Sequence, residues 1–128
     1  MGGGSGYVLS KKTLELLQEA KTRGPCIYPG VTEFEDVNMG ICFKSLGIKF
    51  IDTRDSNGRQ RFLPYPPWIL IDQKNENKPK YLWLKSKSKY PFHFGIENLS
   101  DSVISFHEIR NPSEFYLLQY FLNFVRIE

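Results

Sequence analysis

The stretch Ser100-Asp101-Ser102-Val103-Ile104-Ser105-Phe106-His107-Glu108 predicts a short buried strand that ends in a histidine and a glutamate. Val103 and Ile104 begin the apolar run that is typical of such a strand. Ligands bind outside the carboxyl ends of strands in open α/β sheets, and a neutral imidazole there can ligate a metal or transfer a proton. Considered alone, a strand-end histidine is more often a structural residue, so the role of His107 depends on the rest of the chain.

The composition predicts one folded domain. With 128 residues, of which 41% are hydrophobic and 15% aromatic, the chain is long enough to bury a core and too apolar to be disordered. Its net charge of +3 is too small to indicate a nucleic-acid partner. No apolar stretch is long enough to cross a membrane, and the N-terminus lacks the pattern of a secretory leader. These features alone predict a soluble intracellular protein.

Two helices are predicted in the first third of the chain from their capping residues. Ser10 caps the first helix, which Gly24 and Pro25 end. The second begins at Thr32, forms a capping box with Glu35, and ends where a glycine stands at position 47.

The rest of the chain predicts strands and one long helix, which together indicate an α/β fold. Residues 48–51 and 59–63 are predicted to pair as a hairpin around the turn Asn57-Gly58. Residues 81–90 alternate in polarity, which favours a strand. The last helix is capped by Asn111 and has a broad apolar face, so we expect it to be largely buried.

Two adjacent acids stand in the first turn of the second predicted helix. Glu35 is explained by the capping box, and acids near a helix N-terminus also complement the helix dipole. Asp36 has no such explanation. A carboxylate on a rigid helix start suits a general base that activates a hydroxyl nucleophile, so Asp36 is a candidate catalytic residue.

A lysine-rich segment carries the tryptophan Trp83. Lys85, Lys87 and Lys89 are typical of a solvated edge strand whose charges prevent edge-to-edge association. Alternatively, Tyr81 and Trp83 form an aromatic platform for a sugar or a base, flanked by charges that attract phosphate. Both interpretations stay open from the sequence.

The remaining motifs are weak ones. Cys26 and Cys42 are compatible with one disulfide or with two free thiols. Asn98-Leu99-Ser100 is a glycosylation sequon, a tripeptide that often arises by chance. The chain contains no phosphate-binding glycine motif and no Asp-x-Asp.

Four blocks, taken in order along the chain, resemble the C-terminal half of the core 1 β1,3-galactosyltransferases, a branch of the Fringe-like glycosyltransferases. Each block is weak by itself, but the ordered set is specific and covers almost the whole chain. The blocks are Gly2-Gly3-Gly4-Ser5-Gly6-Tyr7-Val8-Leu9-Ser10, Glu35-Asp36-Val37 with Gly40 and Cys42, Asp52-Thr53-Arg54-Asp55 with Gly58, and Ser100-Asp101 through Ser105-Phe106-His107.

The resemblance implies a fold, a reaction and a location. The fold is the C-terminal part of a GT-A, Rossmann-like α/β domain on a type II Golgi membrane protein, facing the lumen. The reaction transfers galactose from UDP-galactose, with inversion, to O-linked N-acetylgalactosamine on Ser or Thr of a glycoprotein, and it requires Mn²⁺. A homodimer is expected, and a nucleic-acid partner is not.

The resemblance also implies roles for individual residues. His107 is expected to be a metal ligand, and Asp36, with Glu35, corresponds to the acidic motif that supplies the base. Gly3 and Gly4 correspond to the stretch that lines the donor site. Further expectations are that Trp83 and Tyr90 lie near the acceptor, that Cys26 and Cys42 form a disulfide worth about 3 kcal/mol, and that Asn98 is a candidate glycosylation site.

The chain also departs from the family pattern. Asn98 and Leu99 stand where the family has two adjacent cysteines, and lysines replace an aromatic-rich run around Trp83. The family's Asp-x-Asp and membrane anchor lie upstream of the matching region and are absent from this chain. We therefore expect residues 1–128 to form one partial domain that is inactive alone, because a single histidine cannot hold Mn²⁺ and a diphosphate without carboxylates.

Two other functions stay open from the sequence. The first is a non-catalytic, chaperone-like relative of the transferase, although that relative lacks the histidine and the acidic motif that this chain keeps. The second is an unrelated basic binding domain that uses the face from Trp83 to Lys89.

Overall fold

The computed structural model describes residues 3–23, 26 and 32–124. The chain divides into two compact units, Met1–Asp52 and Thr53–Glu128, and each is described by itself. In the described part, no helix has both the length and the apolar character needed to cross a membrane. The prediction of a single partial domain stays a prediction.

The first unit contains helices α1 (Lys11–Arg23) and α2 (Glu35–Ser45). The Thr13 amide donates to Ser10 Oγ at 3.1 Å, which confirms Ser10 as the N-cap of α1. The helix ends at Arg23, and the predicted stop at Gly24 and Pro25 lies outside the described residues.

A disulfide closes a loop within the first unit. Cys26 and Cys42 are bonded, with their Cα atoms 5.1 Å apart, and the Cys42 side chain is buried in α2. The disulfide that the resemblance implied is therefore confirmed. The composition alone also allowed two free thiols, and the bond excludes them.

The predicted start of α2 is wrong, whereas its predicted end is confirmed. The helix begins at Glu35, and no side chain caps it. The Thr32 hydroxyl bonds the Phe34 backbone instead, and Asn38 Nδ2 donates to the Thr32 carbonyl at 2.8 Å, so no capping box forms. At the other end Gly47 has a φ of 69° and closes a Schellman motif, in which the Ile48 amide reaches the Phe43 carbonyl at 2.9 Å.

The predicted hairpin is wrong. Residues 48–51 form no strand, and Ile51 is 87% exposed. The turn at Asn57-Gly58 does form, but Asp55 closes it locally: the Asp55 amide donates to the Arg59 carbonyl, and the Asp55 carboxylate accepts the Asn57 and Arg59 amides. The returning segment then pairs with a distant strand rather than with residues 48–51.

The second unit is built around one short parallel ladder. Strand β1 (Phe62–Leu63) pairs with β2 (Ser105–Phe106), and Leu63 lies opposite Phe106. The predicted strand before His107 is thereby confirmed, although it is shorter than expected and only half-buried. Helices α3 (Pro67–Leu70), α4 (Pro79–Lys87) and α5 (Pro112–Phe124) accompany it, with 3-10 turns at Gln73–Asn75 and Ile96–Asn98.

Aromatic and aliphatic side chains form the core of the second unit. Tyr81 packs edge-on against Tyr65, with ring centroids 5.0 Å apart, and also contacts Phe94. The buried members of this core are Leu63, Tyr65, Leu70, Tyr81, Leu84, Phe92, Phe94 and Leu99.

The predicted strand at residues 81–90 is wrong, because most of the segment belongs to α4. Pro79 occupies the first turn, where its missing N–H costs nothing, and Tyr81 and Leu84 are buried three residues apart as in a helix. Tyr81 is therefore a core residue and forms no surface platform with Trp83, which is 47% exposed.

Helix α5 is capped as predicted but is not buried as predicted. Asn111 Oδ1 accepts the Glu114 amide at 3.1 Å, while the Glu114 carboxylate accepts the Arg110 amide rather than that of Asn111. No residue of α5 is buried. The described residues thus combine several helices with little strand, which agrees with part of an α/β transferase, whereas the GT-A fold stays a prediction.

Candidate functional site

The N-terminal glycine stretch lies directly against the start of α2. The Gly3 amide donates to Asp36 Oδ2 at 2.6 Å, and a turn is closed by the Gly6 amide on the Gly3 carbonyl at 2.7 Å. A Cβ at position 3 would lie 2.5 Å from Asp36 Cβ, so only glycine fits this approach. The structure thus brings together Gly3 and Asp36, which the resemblance assigned to the donor side and to the base.

Both oxygens of the half-buried Asp36 carboxylate accept backbone N–H groups. Oδ1 receives the Val37 amide at 2.8 Å, and Oδ2 receives the Gly3 amide. Each oxygen keeps a free lone pair that can accept a proton. The arrangement orients a carboxylate that can still act as a base.

Glu35 is engaged by a tyrosine from the N-terminal stretch. The Tyr7 hydroxyl donates to Glu35 Oε1 at 2.7 Å. This hydrogen bond raises the pKa of Tyr7, and partial burial and the charges of Glu35 and Asp36 add to the effect, since all of them disfavour a phenolate. Glu35 therefore anchors the N-terminal stretch, and Asp36 is the better candidate for proton transfer.

Replacing Gly3 by alanine is expected to detach the N-terminal stretch from α2, because the new methyl group collides with Asp36 Cβ. Tyr7 then loses its contact with Glu35, and its raised pKa returns towards 10. An NMR titration of the Tyr7 ring measures this. The matched control is Val8→Ala, since Val8 is 83% exposed and its truncation leaves the pKa raised. A Tyr7 pKa that stays raised in Gly3→Ala contradicts the close approach.

His107 stands at the carboxyl end of β2, as predicted. Its amide extends the ladder by donating to the Leu63 carbonyl at 2.9 Å. The imidazole is exposed and makes no hydrogen bond or ion pair with any described residue. The next residue, Glu108, has a φ of 59°, a left-handed conformation that costs about 1 kcal/mol, and its carboxylate is held by Arg110 at 3.0 Å.

The described residues do not form a complete metal site. They contain no group of three or more His, Cys, Asp or Glu side chains that could hold an ion. His107 is therefore suited to donate one ligand, and the set around it does not fit a resident Mn²⁺, which prefers several oxygen ligands.

A partly buried polar network that sequence reasoning missed links the third and fourth blocks of the resemblance. Asp55 Oδ2 accepts the Ser100 hydroxyl at 2.7 Å and Arg59 Nε at 2.8 Å. Arg59 also donates to Asp101 at 2.6 Å, and Arg61 Nε donates to the Ser102 carbonyl at 2.8 Å. These bonds hold the turn at 55–59 against the segment that leads to His107.

The network sets the ionisation of Asp55. Burial opposes the charged form, but hydrogen bonds from Ser100, from the Arg59 amide and guanidinium, and from the Asn57 amide outweigh it. They lower the pKa of Asp55 from 3.8 to about 2. The sequence held one local indication of this network: Asp55 is the first residue of the turn that contains Asn57-Gly58, a position that favours an acid whose side chain accepts hydrogen bonds.

Asp55 is expected to make the protein sensitive to acid. Because its pKa is lower in the folded state, its stabilisation is present above pH 3.8 and is lost as the pH falls towards about 2. Urea denaturation between pH 2 and pH 7 measures this. Asp55→Asn should be less stable than the unmodified chain at pH 7, and the difference should shrink at the acid end. An equal difference at every pH contradicts the assignment. Glu33→Gln is the matched control, since Glu33 is exposed.

The two aromatic residues assigned to the acceptor have different surroundings. Trp83 lies on α4 with 47% of its surface exposed, and its Nε1 donates to the Tyr65 hydroxyl at 3.3 Å. The half-buried Tyr90 ring is covered by the Arg54 guanidinium, whose central carbon lies 3.5 Å from the ring centroid. Trp83 thus offers a free aromatic surface, whereas Tyr90 is already in a cation–π contact.

The sequon and Lys85 are less available than the sequence indicates. Asn98 Nδ2 donates to the Phe94 carbonyl at 3.3 Å, and the Ser100 hydroxyl of the same sequon is buried in the Asp55 network. Lys85 pairs with Glu76 at 3.0 Å. Glycosylation at Asn98 and the roles assigned to the other site residues stay predictions.

Comparison with known proteins found a relative that matches nearly the whole chain. The chain is 37% identical over 126 residues to glycoprotein-N-acetylgalactosamine 3-beta-galactosyltransferase 1 of Xenopus laevis. The match covers 98% of this chain and 34% of the relative, so the chain spans about a third of that protein's length. No family model and no solved structure matches the chain. The predicted resemblance is confirmed: nearly the whole chain is similar to part of a glycoprotein-N-acetylgalactosamine 3-beta-galactosyltransferase.

Proposed function

We propose that this chain forms the acceptor-activating part of a galactosyltransferase that moves galactose from UDP-galactose to O-linked N-acetylgalactosamine on Ser or Thr of a glycoprotein. The observation that carries the proposal is the contact between the Gly3 amide and the Asp36 carboxylate. It joins the stretch assigned to the donor with the residue assigned to the base. The name of the frog relative supports the reaction class.

Asp36 acts as the general base in this proposal. Its carboxylate removes the proton from the acceptor hydroxyl while that oxygen forms a bond to C1 of galactose. The bond between C1 and the diphosphate oxygen breaks on the opposite face, so the configuration at C1 inverts and UDP leaves. The proton ends on Asp36, and backbone amides hold the carboxylate in place throughout.

In the second unit we assign binding roles to side chains according to how exposed they are. Trp83 offers its free ring face to the acceptor sugar, with Tyr90 as a less available neighbour. His107 is assigned as one ligand to Mn²⁺, which would stabilise the diphosphate of the donor. The ligands that complete such a site are not among the described residues, so no step is derived through the metal. A Golgi location, facing the lumen, accompanies this function.

The test is a chimera in which this chain replaces the matching third of the frog relative. We expect the chimera to transfer galactose to a peptide that carries N-acetylgalactosamine, and to prefer UDP-galactose over UDP-glucose and UDP-N-acetylglucosamine. The unmodified relative is the positive control. A chimera that folds, as shown by circular dichroism, and transfers no sugar overturns the proposal and favours a non-catalytic, chaperone-like role.

A further inference from the structure

The outer face of α5 carries an unusual stripe of exposed aromatic residues. Tyr116, Tyr120 and Phe124 follow one another at four-residue spacing and are 73%, 59% and 71% exposed. Tyr120 stacks on Phe124, with ring centroids 5.4 Å apart. Leu117, which is 47% exposed, lies beside them. We call these four residues the α5 stripe.

The α5 stripe is held in place and is free of charge. Its helix is capped by Asn111, and the neighbouring Phe121 packs against the core of the second unit. The single charged residue of α5, Glu114, is bonded at the cap. Three aromatic side chains exposed to this degree present roughly 400–500 Å² of surface. Exposed apolar patches of this size are among the largest on typical soluble monomers and are often functional.

The ladder in the same unit is also unfinished. Among the described residues, β1 and β2 form a two-stranded parallel sheet with two residues in each strand, and no third strand joins either edge. Parallel sheets are normally larger and are covered by helices on both faces. An uncovered helix face and an open parallel sheet in one unit indicate that the missing partner is itself an α/β polypeptide.

We propose that the α5 stripe is the docking surface for the complementary α/β part of a galactosyltransferase, the part that corresponds to the relative's sequence outside the matching third. This inference rests on the proposed function. A standard interface buries about 800 Å² on each partner, so the α5 stripe supplies about half of one side and leaves room for the sheet edge. A second copy of this chain fits less well, because like strand edges related by a twofold axis pair antiparallel and do not extend a parallel sheet.

The test mixes the purified chain with the segment of the frog relative that lies outside the match. We expect a one-to-one complex in analytical ultracentrifugation. The combined variant Tyr116→Ser, Tyr120→Ser, Phe124→Ser should weaken it by about 100-fold or more, because buried aromatic anchors dominate interface energetics. The control variant Val8→Ser, Ile51→Ser removes two side chains that are 83% and 87% exposed in the first unit, and it should leave the affinity unchanged.

A second measurement does not need the segment to fold alone. A cysteine introduced as Tyr120→Cys should react with a thiol reagent at least about 10-fold more slowly in the chimera than in the isolated chain, as burial at an interface requires. An equal rate overturns the proposal. The proposal is also overturned if the triple variant binds the frog segment as tightly as the unmodified chain does, or if no complex forms. Self-association of the isolated chain through the α5 stripe overturns it too. Slow labelling in the isolated monomer also overturns it, since the chain then covers its own stripe.

The outcomes separate this inference from the proposed function. A complex that depends on the α5 stripe but transfers no galactose keeps the docking surface and refutes the activity. An active complex that is insensitive to the α5 stripe keeps the activity and refutes the docking surface.

Discussion

Asp36→Asn in the chimera is expected to lower the rate of galactose transfer by about 10²–10⁴-fold while the affinity for UDP-galactose stays unchanged. In the unmodified chain the Gly3 amide lies 2.6 Å from Asp36 Oδ2. Asparagine has nearly the same shape as aspartate and keeps one oxygen that can accept this amide. It cannot take the proton of the acceptor hydroxyl. The loss therefore falls on kcat, and steady-state kinetics with donor titrated by calorimetry separate the two effects.

The matched control for this variant is Glu35→Gln. Glu35 accepts a hydrogen bond from Tyr7, and a glutamine oxygen accepts the same bond, so we expect a change of less than about 10-fold. Near-normal turnover in Asp36→Asn refutes its role as the base. Loss of donor affinity in the same variant shows a structural role instead.

Removing the disulfide is the second large expected effect. The double variant Cys26→Ala, Cys42→Ala frees a loop whose ends are 16 residues apart. The chain-entropy model assigns such a loop about 3 kcal/mol, which is about a hundredfold in the unfolding equilibrium. Hydrogen exchange of the Cys42 and Phe43 amides in α2 measures the loss within the first unit.

Reduction of the unmodified chain supplies the control for this prediction. A reductant should lower the protection of the α2 amides to the level of the double variant, and it should change nothing in the double variant itself. Equal protection with and without the bond contradicts the stabilising role of the loop closure.

Features set by local chemistry could be predicted from the sequence. Ser10 and Asn111 cap their helices, and Gly47 ends α2, because each acts on backbone groups within a few residues. The strand that ends at His107 was also recognised, since apolar residues predominate just before the histidine. The disulfide came from the resemblance to a family, because two cysteines alone leave the pairing open.

Features set by distant contacts could not be predicted. In the segment after Pro79 the lysines recur every second residue, as in a strand, whereas Tyr81 and Leu84 lie three residues apart, as on one face of a helix. The segment forms a helix because Tyr81 packs into the aromatic core. Asp55 and Ser100 lie 45 positions apart, so no local pattern reveals their bond. The apolar face of α5 was predicted to be largely buried, whereas no residue of this helix is fully buried.

The candidate site divides in the same way. Asp36 was singled out because a first-turn acid with no cap to form needs another role, and its residue type indicates a base. The contact that Gly3 makes with it could not be foreseen from composition, since a glycine run is equally typical of a linker. A close backbone approach is visible only once the two segments, 33 positions apart, are placed together.

Our central proposal is that this chain supplies one side of a galactosyltransferase site and needs a partner segment for the other. Calorimetry of UDP binding in the presence of Mn²⁺ tests it most directly. We expect no binding in the micromolar range by the isolated chain, because its described residues form no complete metal group. We expect manganese-dependent binding once the complementary segment of the frog relative is added. Micromolar, manganese-dependent binding of UDP by the isolated chain would contradict the account.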